Sequence, residues 1–244
     1  QQLQQIPDLW KLLQTANHVP ACQEFPLKTT QGDQIFECYS QPRWLAGVFN
    51  GQVWSLRNIT ARKQAEAIIQ YQAEHDALTG LPNRVQFDQV LNQQLKNAQQ
   101  SSSRFALLFV DLDNFKTVND RFGHQVGDRL LKHVVQRLQA CCRQNDLMAR
   151  WGGDEFVLIS PNLMQKEKGA ALAQRILDTL TPPFKLDAHQ MQISVSIGVA
   201  IYPQDGLTGD QLLFHADTAL YEAKAQGRNG YVCFTKALLP IAQS

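Results

Sequence analysis

Residues 150–156 read RWGGDEF, and the apolar run VLI follows at once. Glycine reaches positive φ without steric cost, so Gly152 and Gly153 between LMARW and EFVLIS specify a tight hairpin. The acids Asp154 and Glu155 are the unusual part, because the second strand opens with them instead of with apolar residues. Adjacent carboxylates beside a core strand repel each other unless a cation sits between them. A chain built this way must fold so that something positive reaches the hairpin.

The surrounding patterns say what kind of sheet holds it. RFALLFVDL reads as a short, fully apolar strand, and QVGDRLLKHVVQRLQACCR sets Val126, Leu130, Leu131, Val134, Val135 and Leu138 at helical spacing, with Cys141 and Cys142 at the helix end. KGAALAQRILDTL is a helix stopped by Pro182 and Pro183, and MQISVSIGVAIYP reads as one strand. GDQLLFHADTALYEAKAQG is a helix with Gly227 near its C-cap, and YVCFT a last strand. Hairpins mixed with crossovers predict an α+β fold, a central and mostly antiparallel sheet flanked by helices.

Residues 1–60 differ in character. They are rich in Gln and aromatics, QIFECYS and GQVWSLRNI alternate as strands do, and NG at 50–51 signals a hairpin turn. Trp10, Trp44 and Trp54 fall here, so a small β-rich unit is expected. In ITARKQAEAIIQYQAEHDALTG, Ala61, Ala65, Ile68, Ile69 and Gln72 lie at helical spacing. That predicts a linker helix over 61–75, either a short coiled coil or packed on its own domain. The expected domains are therefore 1–60, 61–75 and 76–244.

Composition narrows the partners. A formal net charge of +1 favours neither nucleic acid nor a membrane surface, so an anionic ligand must be held by a local cluster. Five scattered cysteines without a CxxC pair point to reduced thiols and a cytoplasmic location. No apolar stretch approaches the roughly 18–20 residues of a spanning helix. The start, QQLQQIPDLW, has no initiator Met and reads as part of a longer chain that could be membrane-anchored elsewhere.

Local clusters are present. The 104–112 strand runs into Asp111-Leu112-Asp113, and in an extended chain both aspartates face one side. Asp113 is expected to N-cap the following helix, with Asn114 as the other capping choice. Asp111 has no such role and is a metal-ligand candidate. If the hairpin lies beside this strand, Asp154 and Glu155 approach Asp111 and form a hard-oxygen site suited to Mg²⁺ or Mn²⁺. Lys116 follows one turn into the next helix, and Lys224 and Arg228 are expected on one face of the 209–226 helix. Asn119 and Asp128 offer an amide and a carboxylate, groups that pair with a purine edge.

In order, DALTGLPNR (76–84), DLDNFKTVND (111–120), FGHQVGD (122–128), RWGGDEF (150–156), SIGVA (196–200) and ADTALYEAKAQGRN (216–229) resemble the signatures of the GGDEF diguanylate cyclases. The resemblance implies a sheet related to nucleotidyl cyclases and polymerase palms. It also implies condensation of two GTP into cyclic di-GMP and two pyrophosphates, with two Mg²⁺ or Mn²⁺ per half-site and no organic cofactor. Carried over by position, it makes Asp111, the Leu112 carbonyl and Asp154 metal ligands, and puts Glu155 at the second metal. Asp154 or Glu155 is then the proton acceptor. Asn119 and Asp128 would read guanine, Lys116, Lys224 and Arg228 would hold phosphates, and Gly152 and Gly153 would admit the nucleotide. Each domain would hold one GTP, so a homodimer is implied. Arg143 to Asp146 (RQND) resembles the family's inhibitory RxxD site, with Arg175 as its secondary arginine. GQVWSLRNITARKQAE resembles the end of a PAS sensor, with Asn58 where Asp is usual. The alternative reading is an inactive GGDEF domain kept as a receptor for GTP or cyclic di-GMP.

Overall fold

The computed structural model describes residues 21–29, 32–161, 167–186 and 189–239; Trp10 and the opening segment lie outside them. The chain divides into two compact units, residues 1–71 and 72–244. Among the described residues no helix is long and apolar enough to cross a membrane.

In the first unit β1 (Ala21–Thr29), β2 (Gly32–Leu45) and β3 (Val48–Asn58) form an antiparallel meander. Phe25 and Cys38 form its core, with Leu27, Phe36, Trp54 and Leu56 packed against them. The β2–β3 turn is not at Asn50–Gly51, which lies inside β3. It is at Ala46–Gly47, where φ is 51° and 79°. Two left-handed residues match the twist of the strands they join, and this register sets Trp44 edge-to-face on Phe49 at 5.7 Å. The helix α1 (Thr60–Glu74) follows, its start held by Asn58, whose Oδ1 accepts from Thr60 N at 3.0 Å and Thr60 Oγ1 at 2.7 Å. None of its residues is buried, and Ile68 and Ile69 are exposed.

The second unit runs α2 (Arg84–Ser101), β4 (Phe105–Leu112), α3 (Phe115–Phe122), α4 (His124–Cys141), β5 (Leu147–Gly152), β6 (Glu155–Ser160) and α5 (Glu167–Leu180). Then come β7 (Phe184–Leu186), β8 (His189–Met191), β9 (Val195–Tyr202), α6 (Gly209–Ala225) and β10 (Gly230–Cys233). The strand predicted over MQISVSIGVAIYP is therefore shorter at its start, Val195–Tyr202, and Met191 belongs to β8. Residues 189–191 pair with β7, whereas β9 joins the main sheet. That sheet has the order β10-β9-β4-β6-β5 and is antiparallel except for β10 beside β9.

Every residue of β4 is buried, because helices cover both faces of the sheet. Ala106, Leu108 and Val110 join the core built with Leu130, Val134 and Leu138 of α4 and Ile176 and Leu180 of α5. Phe105, Leu107 and Phe109 point the other way, into the core built with Phe87 and Leu91 of α2 and Leu212, Ala216 and Leu220 of α6. Strand parity thus assigns odd-numbered side chains of β4 to the α2–α6 face. Each large apolar side chain buried this way contributes about 1.5–3 kcal/mol.

The seat of α6 is unusually close. A Cβ at Gly198 of β9 would collide with the Ala216 carbonyl and the Leu220 amide. Backbone cannot step aside as a flexible side chain can, so Gly198→Ala should destabilise the unit by about 1–3 kcal/mol. The expected readout is a lower urea midpoint with unchanged slope. An unchanged midpoint would mean that the helix lifts off β9 at no cost.

Candidate active site

The antiparallel pairing of β4 with β6 sets Asp111 directly opposite Glu155. Parity points both at the α2–α6 face, toward the last turn of α6. There Lys224 Nζ lies 2.8 Å from Asp111 Oδ2. Burial pushes the Asp111 carboxyl above its ordinary value; Lys224 opposes the rise, and the neighbouring charges of Asp154 and Asp113 add to it. Glu155 is raised as well, first by burial, then by Asp111 and Asp154, against the pull of Lys224. Asp217, on α6, adds to that rise, a contribution with no warning in the sequence pattern. The Leu112 amide donates to the Asp154 carbonyl at 3.3 Å, tying the end of β4 to the hairpin tip.

Sequence spacing anticipated three converging acids. Among the described residues no three carboxylate, thiol or imidazole groups stand together as a ready cation cage. The Lys224 ammonium occupies the cation's place at Asp111 instead. The donors nevertheless suit a hard divalent ion, being carboxylates with a strand-end carbonyl, destabilised by mutual repulsion and already drawing one cation onto Asp111.

Asp113 does not cap α3. It is buried, and its carboxylate accepts from Ser194 Oγ and Ser196 Oγ, both at 2.7 Å, and from the Asn229 amide at 3.1 Å. Strand-like pairing continues past Leu112, with Asp113 N donating to Ser194 O at 2.9 Å, and this turns the side chain inward. The helix starts instead from Asn114, at φ 60° and with no side-chain cap. Arg228 also departs from expectation, since α6 ends at Ala225 and Arg228 is beyond the helix. Gly227, Arg228 and Asn229 follow at φ 116°, 64° and 49°, bringing Arg228 Nε to 4.0 Å from Asp113.

Lys116 is exposed on the first turn of α3. Asn119 lies against Gly127, so closely that any Cβ there would overlap its side-chain oxygen. This contact brings Asn119 beside the segment that carries the exposed Asp128. At the hairpin, Gly153 takes φ 51° and both glycines have open space where a Cβ would stand.

The hairpin is braced by two residues that pattern reading left without a role. Arg150 donates through Nε and Nη2 to the Gly153 carbonyl at 3.0 and 2.7 Å, and through Nη1 to Asp76 at 2.9 Å. Its amide bonds to the Pro82 carbonyl at 2.9 Å. Asp76 also accepts from the Thr79 amide and hydroxyl, at 2.9 and 2.6 Å. A register shift between Arg150 and Gly152 accompanies Trp151, which stands edge-on to Phe87 and Phe109 beneath the Arg84 guanidinium, 4.3 Å from its ring centroid. The only sequence signals were an acid opening the 76–84 block and an arginine just before the glycines.

Below the hairpin, Asp146 accepts from the Arg143 amide at 2.8 Å and from Ser160 Oγ at 2.7 Å. Arg143 itself is exposed. Arg175, on α5, keeps a buried Nε without a hydrogen-bond partner among the described residues. Its charge and that of Asp146 both act on the Cys142 thiol, which places these groups around one point at the end of α4.

A palm-type sheet whose central strand ends in carboxylates, beside a glycine hairpin and two basic residues, defines a nucleotidyl cyclase class of domain. The chain belongs to the GGDEF diguanylate cyclase family, whose model, described as "Diguanylate cyclase, GGDEF domain", matches residues 73–230. It is 46% identical over 171 residues to the bifunctional diguanylate cyclase/cyclic di-GMP phosphodiesterase MucR of Pseudomonas aeruginosa, covering 70% of this chain and 25% of MucR. It is 39% identical to the diguanylate cyclase TpbB of the same species, over 74% of this chain and 42% of TpbB. A TpbB structure comprising only the GGDEF domain superposes with a TM-score of 0.66 at 36% identity, over 67% of this chain and 96% of that one. The coiled coil and GGDEF domain of DgcB from Caulobacter crescentus, solved in complex with cyclic di-GMP, gives 0.65 at 26% identity, over 72% and 93%. The chain thus spans a quarter of MucR and under half of TpbB.

The Asp76 brace has a pH signature. Burial acts to raise this carboxyl, but hydrogen bonds from Thr79 and Arg150 outweigh it and hold it below the ordinary 3.8. A lowered folded-state pKa adds stability that is complete above the unfolded value and lost as pH falls through the folded one. Asp76→Asn should therefore be less stable than the parent at neutral pH, with the gap closing below about pH 4. Denaturant melts at several pH values would read this, and a pH-independent gap would contradict it.

Proposed function

We propose that the second unit condenses two GTP into cyclic di-GMP with release of two pyrophosphates. The observation that carries this reading is Asp111 set opposite Glu155 at the end of a buried strand, with Lys224 drawn onto Asp111. Family membership supports it. Asn119 and Asp128 would read the guanine edge, and Lys116, Lys224 and Arg228 would hold the triphosphate. The open space over Gly152 and Gly153 leaves room for the nucleotide backbone. Asp111, Asp154, Glu155 and the Leu112 carbonyl would hold Mg²⁺ or Mn²⁺, which when bound screens the triphosphate and acidifies the attacking hydroxyl.

The 3′-hydroxyl of one GTP attacks the α-phosphorus of the other, and the P–O bond to pyrophosphate breaks. Asp154 or Glu155 takes the hydroxyl proton. Because each domain would hold one nucleotide, two domains must face one another, and a homodimer is part of the proposal. Arg143, Asp146 and Arg175 would bind product and restrain the enzyme, and the unpartnered Arg175 Nε favours an anionic ligand there. The three-stranded meander and α1 fit the tail of a PAS-like sensor and its linker.

Incubation with GTP and Mg²⁺ should yield cyclic di-GMP, and binding of GTP or product without turnover would favour the receptor reading instead. Asp111→Asn should lower turnover by at least about a hundredfold. A residue that merely capped a helix would cost only about 1 kcal/mol of stability and leave turnover intact. Arg143→Ala should raise the concentration of added cyclic di-GMP needed for half-inhibition by about tenfold. Unchanged inhibition would remove Arg143 from the product site.

A further inference from the structure

Asp113 is a buried carboxylate that accepts three hydrogen bonds, and nothing in the proposed chemistry uses it. Its side chain is 1% exposed. Oδ1 accepts from Ser196 Oγ, and Oδ2 accepts from Ser194 Oγ and from the Asn229 amide. A carboxylate so occupied is a poor ligand for an incoming ion. Asp111, two residues earlier and on the same side of the strand, is paired with the half-buried Lys224 ammonium.

The Asn229 bond is the informative one. Arg228 and Asn229 both adopt left-handed backbone that L-residues avoid, directly after Gly227 at positive φ. Such a run persists only where the surroundings over-determine it. On the helix side, Arg228 N bonds to Ala223 O at 3.1 Å and Gly227 N to Lys224 O at 3.3 Å. On the sheet side, Gly230 begins the β10 pairing with Ser196 of β9, Asp113 Oδ2 accepts from Asn229 N just before it, and the same carboxylate attracts Arg228 Nε from 4.0 Å. The Arg228 side chain is half exposed, so it is not consumed by this contact.

We propose that Asp113 is the positioning residue for Arg228. It anchors the loop after α6 to the end of β4 and so presents the guanidinium to a nucleotide phosphate. The proposal rests on the phosphate-binding role given to Arg228 under the proposed function. Asp113 touches no substrate in this account. It fixes where the arginine stands, and Ser194 and Ser196 fix where Asp113 stands. The alternation of two acids along one strand end then has a division of labour, with Asp111 in the site and Asp113 behind its rim.

A double-mutant cycle tests the coupling. Affinity for the non-hydrolysable analogue guanosine 5′-(α,β-methylene)triphosphate is measured with Mg²⁺ for the parent, Asp113→Asn, Arg228→Ala and the double variant. Each single change should weaken binding by about tenfold, and the double variant should bind no worse than Arg228→Ala alone. Losses that multiply, or an Asp113→Asn loss under about twofold, would overturn the proposal. Should Asp113→Asn fail to fold, Ser194→Ala keeps the carboxylate and removes one of its donors. Its expected effect is a loss of about threefold that disappears in the Arg228→Ala background, and persistence in that background would overturn the proposal. Cyclic di-GMP formation by the parent chain is followed in parallel. If the parent binds the analogue yet makes no product, the synthetic function fails while the cycle still decides the role of Asp113.

Discussion

Two carboxylates placed face to face at the end of a buried strand pair form an arrangement that a protein must balance or abandon. Asp111 and Glu155 are directly opposite in the β4–β6 ladder, and burial raises both. Much of the second unit can be understood as the means of bringing positive charge to that spot. Helix α6 crosses the sheet so that its last turn delivers Lys224, and the loop beyond delivers Arg228 to the next acid along the strand. The rest of the sheet serves mainly to make the opposition rigid, since a slip of β6 by one residue would send Glu155 to the face opposite Asp111.

The glycine hairpin illustrates the same economy from another side. Gly152 and Gly153 leave the space above them empty, so the tip of the hairpin gains no packing from these two residues. Its rigidity is imported. Arg150 reaches forward to the Gly153 carbonyl and back to Asp76, and Trp151 anchors the strand between Phe87 and Phe109. The support extends to Asn83, which caps α2 through Gln86 N and bonds to the Ala73 carbonyl at 2.7 Å. Hence the stretch DALTGLPNR acts as the bracket of the hairpin.

Periodicity made the elements of the second unit legible. The apolar run of β4, the α4 stripe and the two strands around the glycines stand where their patterns predict, because alternation and helical spacing report burial directly. What escaped were features set by partners distant in sequence. Asp113 has the local look of a helix cap, yet Ser194, Ser196 and Asn229 claim it from another part of the chain. Asn50–Gly51 has the composition of a turn, but the pairing of Leu45 with Val48 places the turn at Ala46–Gly47. Similarly, 191–203 carries one strand-like pattern, and only the choice of neighbours gives Met191 to β8 and Val195–Tyr202 to β9. Local chemistry announces what a residue can do, while tertiary partners decide which option is taken.

Gly198 carries no functional group, yet it sets the depth at which α6 rests on the sheet. Both cations that meet the acidic strand end come from the last turn of that helix or the loop after it. A bulkier residue at 198 would therefore act as a shim, raising the helix and withdrawing Lys224 and Arg228 together. In a genetic screen for lost activity, this glycine would score among the chemically active residues, although it lies behind them and touches only backbone.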